Sequence, residues 1–355
     1  MKTVGIITCH YFDNFGSVLQ AYALRRYINR LPGYHAELIN YIPENASYRP
    51  YEPGQAGKEE LERKRKKFEK FLKEKCGVVD DPVRAVTGNR YDYYCVGSDQ
   101  LWNFNICDIG QEYFLSNLDA SAKKISYATS LGLSVEQLRK SREIFSSKLK
   151  SFKAVSVREM VHAVFLREEC GVENTCVVDP TFLLNAEDYE ELIPKTPVRH
   201  KPFVLFLWYM HDDCFFAGTE FANMLSRKYN LPIVNSFVKP SPHIFAKNGG
   251  CMMYEGIENY LWYIKNAEVI VTNSYHTTLF SMYFQKPFYV FLEDSMRSRF
   301  DTLCSQLPIS SRMVTKYISP DEVSLDIDYK AIYEAAKPYI QASKEFLANA
   351  LDVEG

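Results

Sequence analysis

The sequence predicts a parallel α/β protein built as two doubly wound domains. Three observations predict it. Segments rich in β-branched and aromatic residues alternate with helical periods along most of the chain. The 355 residues exceed one ordinary domain of about 150. Between them, PKTPVRHKP at Pro194 to Pro202 holds three prolines and continues neither a helix nor a central strand. The boundary is placed there, with an N-terminal domain over 1–193, a C-terminal domain over 203–328 and a terminal helix over 329–355.

The first strand is Val4 to Cys9, an apolar run whose flanks lack the small-residue cleavage site of a signal peptide. A helix follows from about Ser17 to Leu31, because Leu24, Tyr27, Ile28 and Leu31 repeat at i, i+3, i+4, i+7. Ala36 to Ile42 is the next strand. After it comes an insert from Pro43 to Cys76, whose second part (58–76) is the most charged segment of the chain. Phe68, Phe71 and Leu72 sit there at helical spacing. Two readings stand: a solvated helix with a narrow docking stripe, or a mobile basic flap meeting an anionic acceptor or a membrane surface.

Further strands are expected at Tyr93 to Val96, Lys124 to Thr129, Ala154 to Val157 and Thr175 to Val178, with helices at Val135 to Lys150 and Glu159 to Cys170. Beyond the prolines, Phe203 to Trp208, Ile233 to Phe237, Val269 to Thr272 and Phe288 to Leu292 form the second sheet. An amphipathic helix over Tyr329 to Ala350 closes the chain.

Composition narrows the function. With 42 basic and 44 acidic residues the net charge is −2, which argues against nucleic-acid binding by bulk charge. The longest apolar run, Phe203 to Met210, is far short of the ~20 residues of a membrane span. Nine cysteines, odd in number and never in a C-x-x-C pair, point away from structural zinc and disulfides and toward a reducing cytoplasm. No histidine pairs with another at i, i+4, so no metal set is expected, and no G-x-S-x-G elbow supports a hydrolase.

In open α/β sheets ligands bind beyond the carboxyl ends of strands, so the polar segments there are the candidates. In DNFGS, Asn14 and Gly16 precede a helix whose first N–H groups suit an anion, or the segment is a plain turn with Ser17 as cap. In VGSDQLW, Asp99 sits at the sheet rim as a base or an acceptor of sugar hydroxyls, or merely as a cap, and Trp102 offers a face to a pyranose. Arg158 is placed to clamp a carboxylate or phosphate, or to pair with Glu159 or Asp179. TNSYHTT is the sharpest feature: Ser274, His276, Thr277 and Thr278 cluster at a strand end. His276 stands in a first helical turn, where the dipole favours the neutral, proton-accepting ring.

Taken in order, NFGSVLQAYAL, VGSDQLWN, ISYATSLG, SVRE, VVDPTFLL and VTNSYHTTLFSMYFQKPF resemble the polysaccharide pyruvyl transferase family from residue 4 to about 310. The resemblance implies two Rossmann-like domains facing across a cleft, as in GT-B glycosyltransferases. It implies transfer of the pyruvyl group of phosphoenolpyruvate to a sugar as a ketal, with no redox cofactor and no obligatory metal. It implies that Arg158 and His276 bind the donor, His276 also exchanging protons, with Ser274 and Tyr275 beside them. Asp99 would orient the acceptor, with Trp102, Ser130, Asn14 and Gly16 on that side. Many members carry arginine two positions before the histidine, where this chain has Ser274. Either Arg297 or Arg299 of MRSRF is the substitute, or the donor takes a different pose, or the chain belongs to a divergent branch with a different donor.

The expected partners are therefore phosphoenolpyruvate and a glycan or lipid-linked saccharide of capsule, exopolysaccharide or cell-wall synthesis. The expected location is the cytoplasm, with peripheral association at the inner membrane face. A nucleotide-sugar glycosyltransferase and an inactive scaffold of a polysaccharide assembly complex are the alternatives.

Overall fold

The computed structural model describes residues 1–43, 55–78, 80–105, 111–196, 198, 202–209, 213–236, 248–292, 297–315 and 318–353. The strands are β1 (Lys2–Ile7), β2 (Tyr34–Leu38), β3 (Tyr93–Val96), β4 (Lys123–Ser126), β5 (Ser156–Val157), β6 (Thr175–Cys176), β7 (Val204–Leu207), β8 (Ile233–Asn235), β9 (Asn248–Cys251), β10 (Val269–Thr272), β11 (Phe288–Phe291) and β12 (Met313–Val314). The helices are α1 (Phe15–Ile28), α2 (Gln55–Cys76), α3 (Val135–Arg139), α4 (Arg142–Lys148), α5 (Met160–Glu168), α6 (Ala186–Glu190), α7 (Phe215–Tyr229), α8 (Ile257–Asn266), α9 (Tyr275–Tyr283), α10 (Arg297–Gln306) and α11 (Tyr329–Ala350).

The chain divides into two compact units. The first is 1–58, 68–184 and 337–355; the second is 59–67 and 185–336. The division falls ahead of the prolines, not on them. Its physical reason is α6: Asn185 and Asp188 form a capping box that starts this helix, and Tyr189 then packs its ring against Phe280 of α9. The terminal helix is likewise split, with residues from Lys337 on belonging to the first unit.

In the first unit the parallel sheet runs β2-β1-β3-β4. Parallel bridges Ile125 to Ala154 and Thr129 to Val157 continue it into the β5-β6 pair. The order 2-1-3-4-5 is flavodoxin-like, and its switch point lies between β1 and β3. Val4, Ile6, Cys95, Val96 and Ile125 have no exposed surface, as a parallel sheet covered on both faces requires. Gly97 belongs to this packing, because a Cβ there would stand 2.8 Å from Cβ of Thr8, the residue that follows β1.

In the second unit the sheet runs β12-β11-β10-β7-β8-β9, and all the registered pairs are parallel. Counted within the unit this is order 6-5-4-1-2-3, the Rossmann order, with its switch point between β7 and β10. Two edge strands were not expected. β12 is two residues long, and β9 lies inside the segment Pro240 to Glu255 that reads as a loop. Its Asn-Gly-Gly-Cys sequence carries no apolar pattern, and Gly250 has φ +110°, a backbone that glycine alone adopts readily. The first part of that segment, and residues 44–54 of the insert, lie outside the described residues.

Two further local expectations change. The helix expected from Val135 to Lys150 is two helices, because Ser141 opens α4 after α3 ends at the Lys140 cap. The charged helix α2 is seated by its stripe: Phe68 and Phe71 are buried against Phe15 and Tyr22 at ring distances of 5.4 and 5.8 Å. This is the burial that the docking-stripe reading expects.

Candidate functional site

In the first unit the site is built at the switch point. α1 starts directly after β1, and its cap is Asn14, whose Oδ1 accepts from the Ser17 amide at 3.1 Å. Ser17, expected as the cap, is instead free to donate its hydroxyl to Asp99 Oδ2 across the switch point. Gly16 is buried in the same first turn. Asp99 has φ +82°, uncommon for a residue with a side chain. That turn is held by its own carbonyl, which accepts from Leu101 N at 2.8 Å and Ser130 N at 2.9 Å. Its other carboxylate oxygen accepts from Gln100 N at 2.9 Å.

Behind Asp99 lies a buried ionic network. Arg158 donates from Nη1 to Asp179 Oδ2 at 2.8 Å and stands 3.4 Å from Glu159 Oε1. Asp179 is also held by Ser98 and by the amide and hydroxyl of Thr181. Glu159 accepts from Ser130 Oγ at 2.7 Å and from His162 Nδ1 at 3.0 Å. Burial alone would raise the Glu159 carboxyl, but His162, Arg158 and Ser130 outweigh it and hold it down at about 2. The ion pair weighed as the alternative for Arg158 is thus present, and the guanidinium is 2% exposed.

Trp102 is a correction. It is fully buried, stacked on Phe114 at 5.7 Å, with its indole N–H on the Tyr113 carbonyl at 2.9 Å. A ring enclosed in the aromatic core offers no face to a sugar. Ser130 is fully buried as well, and its hydroxyl serves Glu159 instead of an acceptor.

Residue-by-residue reading overlooked His10, which ends the first strand's segment. Its ring is buried, with Nδ1 3.0 Å from the Thr8 carbonyl and Nε2 3.1 Å from Asn40 Oδ1. Burial lowers its pKa, against the raising effect of those two contacts. The available signal was its place immediately after an apolar strand.

In the second unit the candidate residues gather at the β7–β10 switch point. Asn273 donates to the Tyr209 carbonyl and accepts from its amide, both at 2.8 Å, and so ties the ends of the two strands together. Ser274 caps α9 by accepting from Thr277 N at 3.3 Å. That bond starts the helix. Tyr275 is buried and His276 half-buried in the first turn. Tyr275 packs edge-on against Phe300 of α10 at 5.6 Å. That contact brings the start of α10, with exposed Arg297 and half-buried Arg299, to the turn that carries His276. Both arginines stand in the first turn of α10, which holds no acidic residue.

Asn14, Gly16, Asp99, Trp102, Ser130 and Arg158 therefore lie in the first unit, and Ser274, Tyr275, His276, Arg297 and Arg299 in the second. Among the described residues no group of three or more His, Cys, Asp or Glu side chains is arranged to hold a metal ion. No described helix is long and apolar enough to cross a membrane.

The fold is shared with known sugar-nucleotide enzymes. UDP-GlcNAc 2-epimerase from Neisseria meningitidis, solved bound to UDP-GlcNAc, is 10% identical with TM-score 0.51, over 97% of this chain and 100% of that one. A Listeria monocytogenes protein assigned as a UDP-N-acetylglucosamine 2-epimerase is 9% identical with TM-score 0.54, over 97% and 89%. At such identities the likeness establishes the fold class, the GT-B-like α/β class with parallel sheets. No curated protein matches the chain in sequence. The family model for polysaccharide pyruvyl transferase matches residues 14–295, a span holding every candidate residue above except His10, Arg297 and Arg299, and the chain belongs to that family.

Proposed function

We propose that the protein transfers the pyruvyl group of phosphoenolpyruvate onto two hydroxyls of a sugar in a polysaccharide precursor, forming a ketal. The observation that supports the reading is the Tyr275–Phe300 contact, which packs the first turn of α9, where His276 stands, against α10, the helix that carries Arg297 and Arg299. A donor bearing both a carboxylate and a phosphate needs such cations and helix-terminal donors.

The reaction moves three protons. The donor's methylene carbon takes a proton and becomes methyl, while a sugar hydroxyl attacks the adjacent carbon and loses its own proton. Phosphate then leaves, and the second hydroxyl closes the ketal, its proton leaving with phosphate. His276 is assigned the proton exchange at the donor, and Asp99, already an acceptor for the Ser17 hydroxyl, the acceptor's hydroxyl proton. Arg158 contributes positive charge from a fixed, buried position, its orientation set by Asp179 and Glu159. The acceptor is a glycan or lipid-linked saccharide of capsule, exopolysaccharide or cell-wall synthesis.

Phosphate release from phosphoenolpyruvate, measured with panels of glycan and lipid-linked acceptors, tests the reading. Arg297→Ala and Arg299→Ala are each expected to weaken apparent donor affinity about tenfold. Release driven by a nucleotide sugar and indifferent to phosphoenolpyruvate would make the protein a glycosyltransferase instead.

A further inference from the structure

Glu159 is the N-cap of α5, yet its side chain makes no capping bond. A carboxylate there ordinarily accepts from the first free amides of the helix and gains from the dipole. Here it turns inward. Oε1 takes the Ser130 hydroxyl at 2.7 Å and faces Arg158 Nε at 3.4 Å, while Oε2 faces His162 Nδ1 at 3.0 Å. The other nitrogen of His162 stands 2.9 Å from the Leu133 carbonyl. All four side chains are 3% exposed or less.

His162 therefore joins the start of α5 to the segment after β4. That segment carries Ser130, whose amide holds the Asp99 carbonyl at 2.9 Å. It ends in Gly132, where φ is +62° and a Cβ would meet Gln100 Oε1 at 2.3 Å. The segment is thus packed directly against the Asp99 turn. Buried charges are costly, and apolar residues of similar size usually stabilise a core equally well. Charged groups collected on two candidate site segments fit control of position better than gain of stability.

We propose that His162 and Glu159 are positioning residues, which hold the Ser130–Leu133 segment and the Arg158 guanidinium in register with the Asp99 turn. The link to donor binding rests on the proposed pyruvyl transfer; the positioning of the segment does not. The two contacts of His162 are separable. His162→Asn places an amide N–H near the Nδ1 position and keeps Glu159 while giving up Leu133. His162→Gln places one near Nε2 and does the reverse.

Hydrogen exchange of the 126–133 segment, thermal melting and titration with phosphoenolpyruvate, each on the full chain, form the test. His162→Asn is expected to raise exchange in 129–133 about tenfold. His162→Gln is expected to weaken phosphoenolpyruvate binding about tenfold, with both melting midpoints within about 3 °C of wild type. Ser130→Ala, which leaves both charged partners in place, is the milder companion and is also expected to raise exchange there.

Unchanged exchange in all three variants overturns the proposal. So does unfolding of both His162 variants, since a positioning pair is removable without loss of the fold. Normal phosphoenolpyruvate binding by His162→Gln overturns the link to Arg158. If wild-type protein binds no phosphoenolpyruvate, the donor assignment falls, and the exchange measurements still decide whether His162 positions the segment.

Discussion

Replacing Asp99 by glycine separates function from stability at one residue. The substitution removes the carboxylate that accepts from Ser17 Oγ and from Gln100 N. Two hydrogen bonds at about 0.5–1.5 kcal/mol each give a loss of about 1–3 kcal/mol. It also relieves a side-chain residue held at φ +82°. Left-handed backbone costs such a residue about 1 kcal/mol relative to glycine. The turn's backbone bonds, from Leu101 and Ser130 to the Asp99 carbonyl, survive the change. The net effect is a destabilisation of about 0–2 kcal/mol, or a fall in midpoint of up to about 8 °C. Circular dichroism melting gives the midpoint, and phosphate release from phosphoenolpyruvate gives turnover, which is expected to drop at least about 100-fold. Asp99→Asn, which tolerates the same backbone, is expected to lose turnover with a smaller thermal change. Retained turnover in Asp99→Gly would remove the carboxylate from catalysis, and a midpoint drop beyond about 15 °C would make Asp99 a structural keystone instead.

Three further outcomes are expected. His276→Asn lowers turnover about 100-fold or more and moves the melting midpoint by less than about 3 °C, because the ring is half-buried at a helix start; a collapse in stability would assign it to the core. Trp102→Ala costs about 3–5 kcal/mol in denaturant unfolding, as loss of a fully buried ring should, and an exposed, nearly neutral position would contradict the packing seen. Glu159 is held at about 2, below its ordinary 4.5, so its contribution is full above pH 4.5 and is lost as pH falls toward 2; wild type and Glu159→Gln are expected to converge in stability over that window, and parallel curves would speak against it.

Where apolar strands are bounded by polar residues, the sequence was legible nearly to the residue. Tyr93–Val96 and Val269–Thr272 are strands, and Tyr329–Ala350 is a helix, at the expected bounds. The two strands are unbroken buried runs and the helix carries an apolar stripe. β9 and β12 were not legible, because a short edge strand is defined by its neighbour's hydrogen bonds and not by its own side chains. The unit boundary was misplaced for a related reason. Proline marks where regular structure stops, whereas the boundary is set by Tyr189 finding Phe280 nearly a hundred residues away.

The candidate sites divide the same way. Motif residues at strand ends were identified by position, and Asp99 and His276 do stand at switch points of their sheets. What position did not reveal is which way a side chain turns. Trp102 follows Asp99 by three residues yet enters the core, where Phe114 stacks on it. Glu159 looks like a helix cap and reaches instead for Ser130 and His162. Such orientations depend on partners distant in sequence.

Pyruvyl transfer requires that an anionic three-carbon donor bind this protein. Isothermal titration of the full chain with phosphoenolpyruvate, with UDP, GDP and inorganic phosphate as competitors, tests it most directly. Saturable phosphoenolpyruvate binding is expected, competed by phosphate and weakened about tenfold by Arg297→Ala or Arg299→Ala. Saturable binding of UDP or GDP with no heat from phosphoenolpyruvate would contradict it.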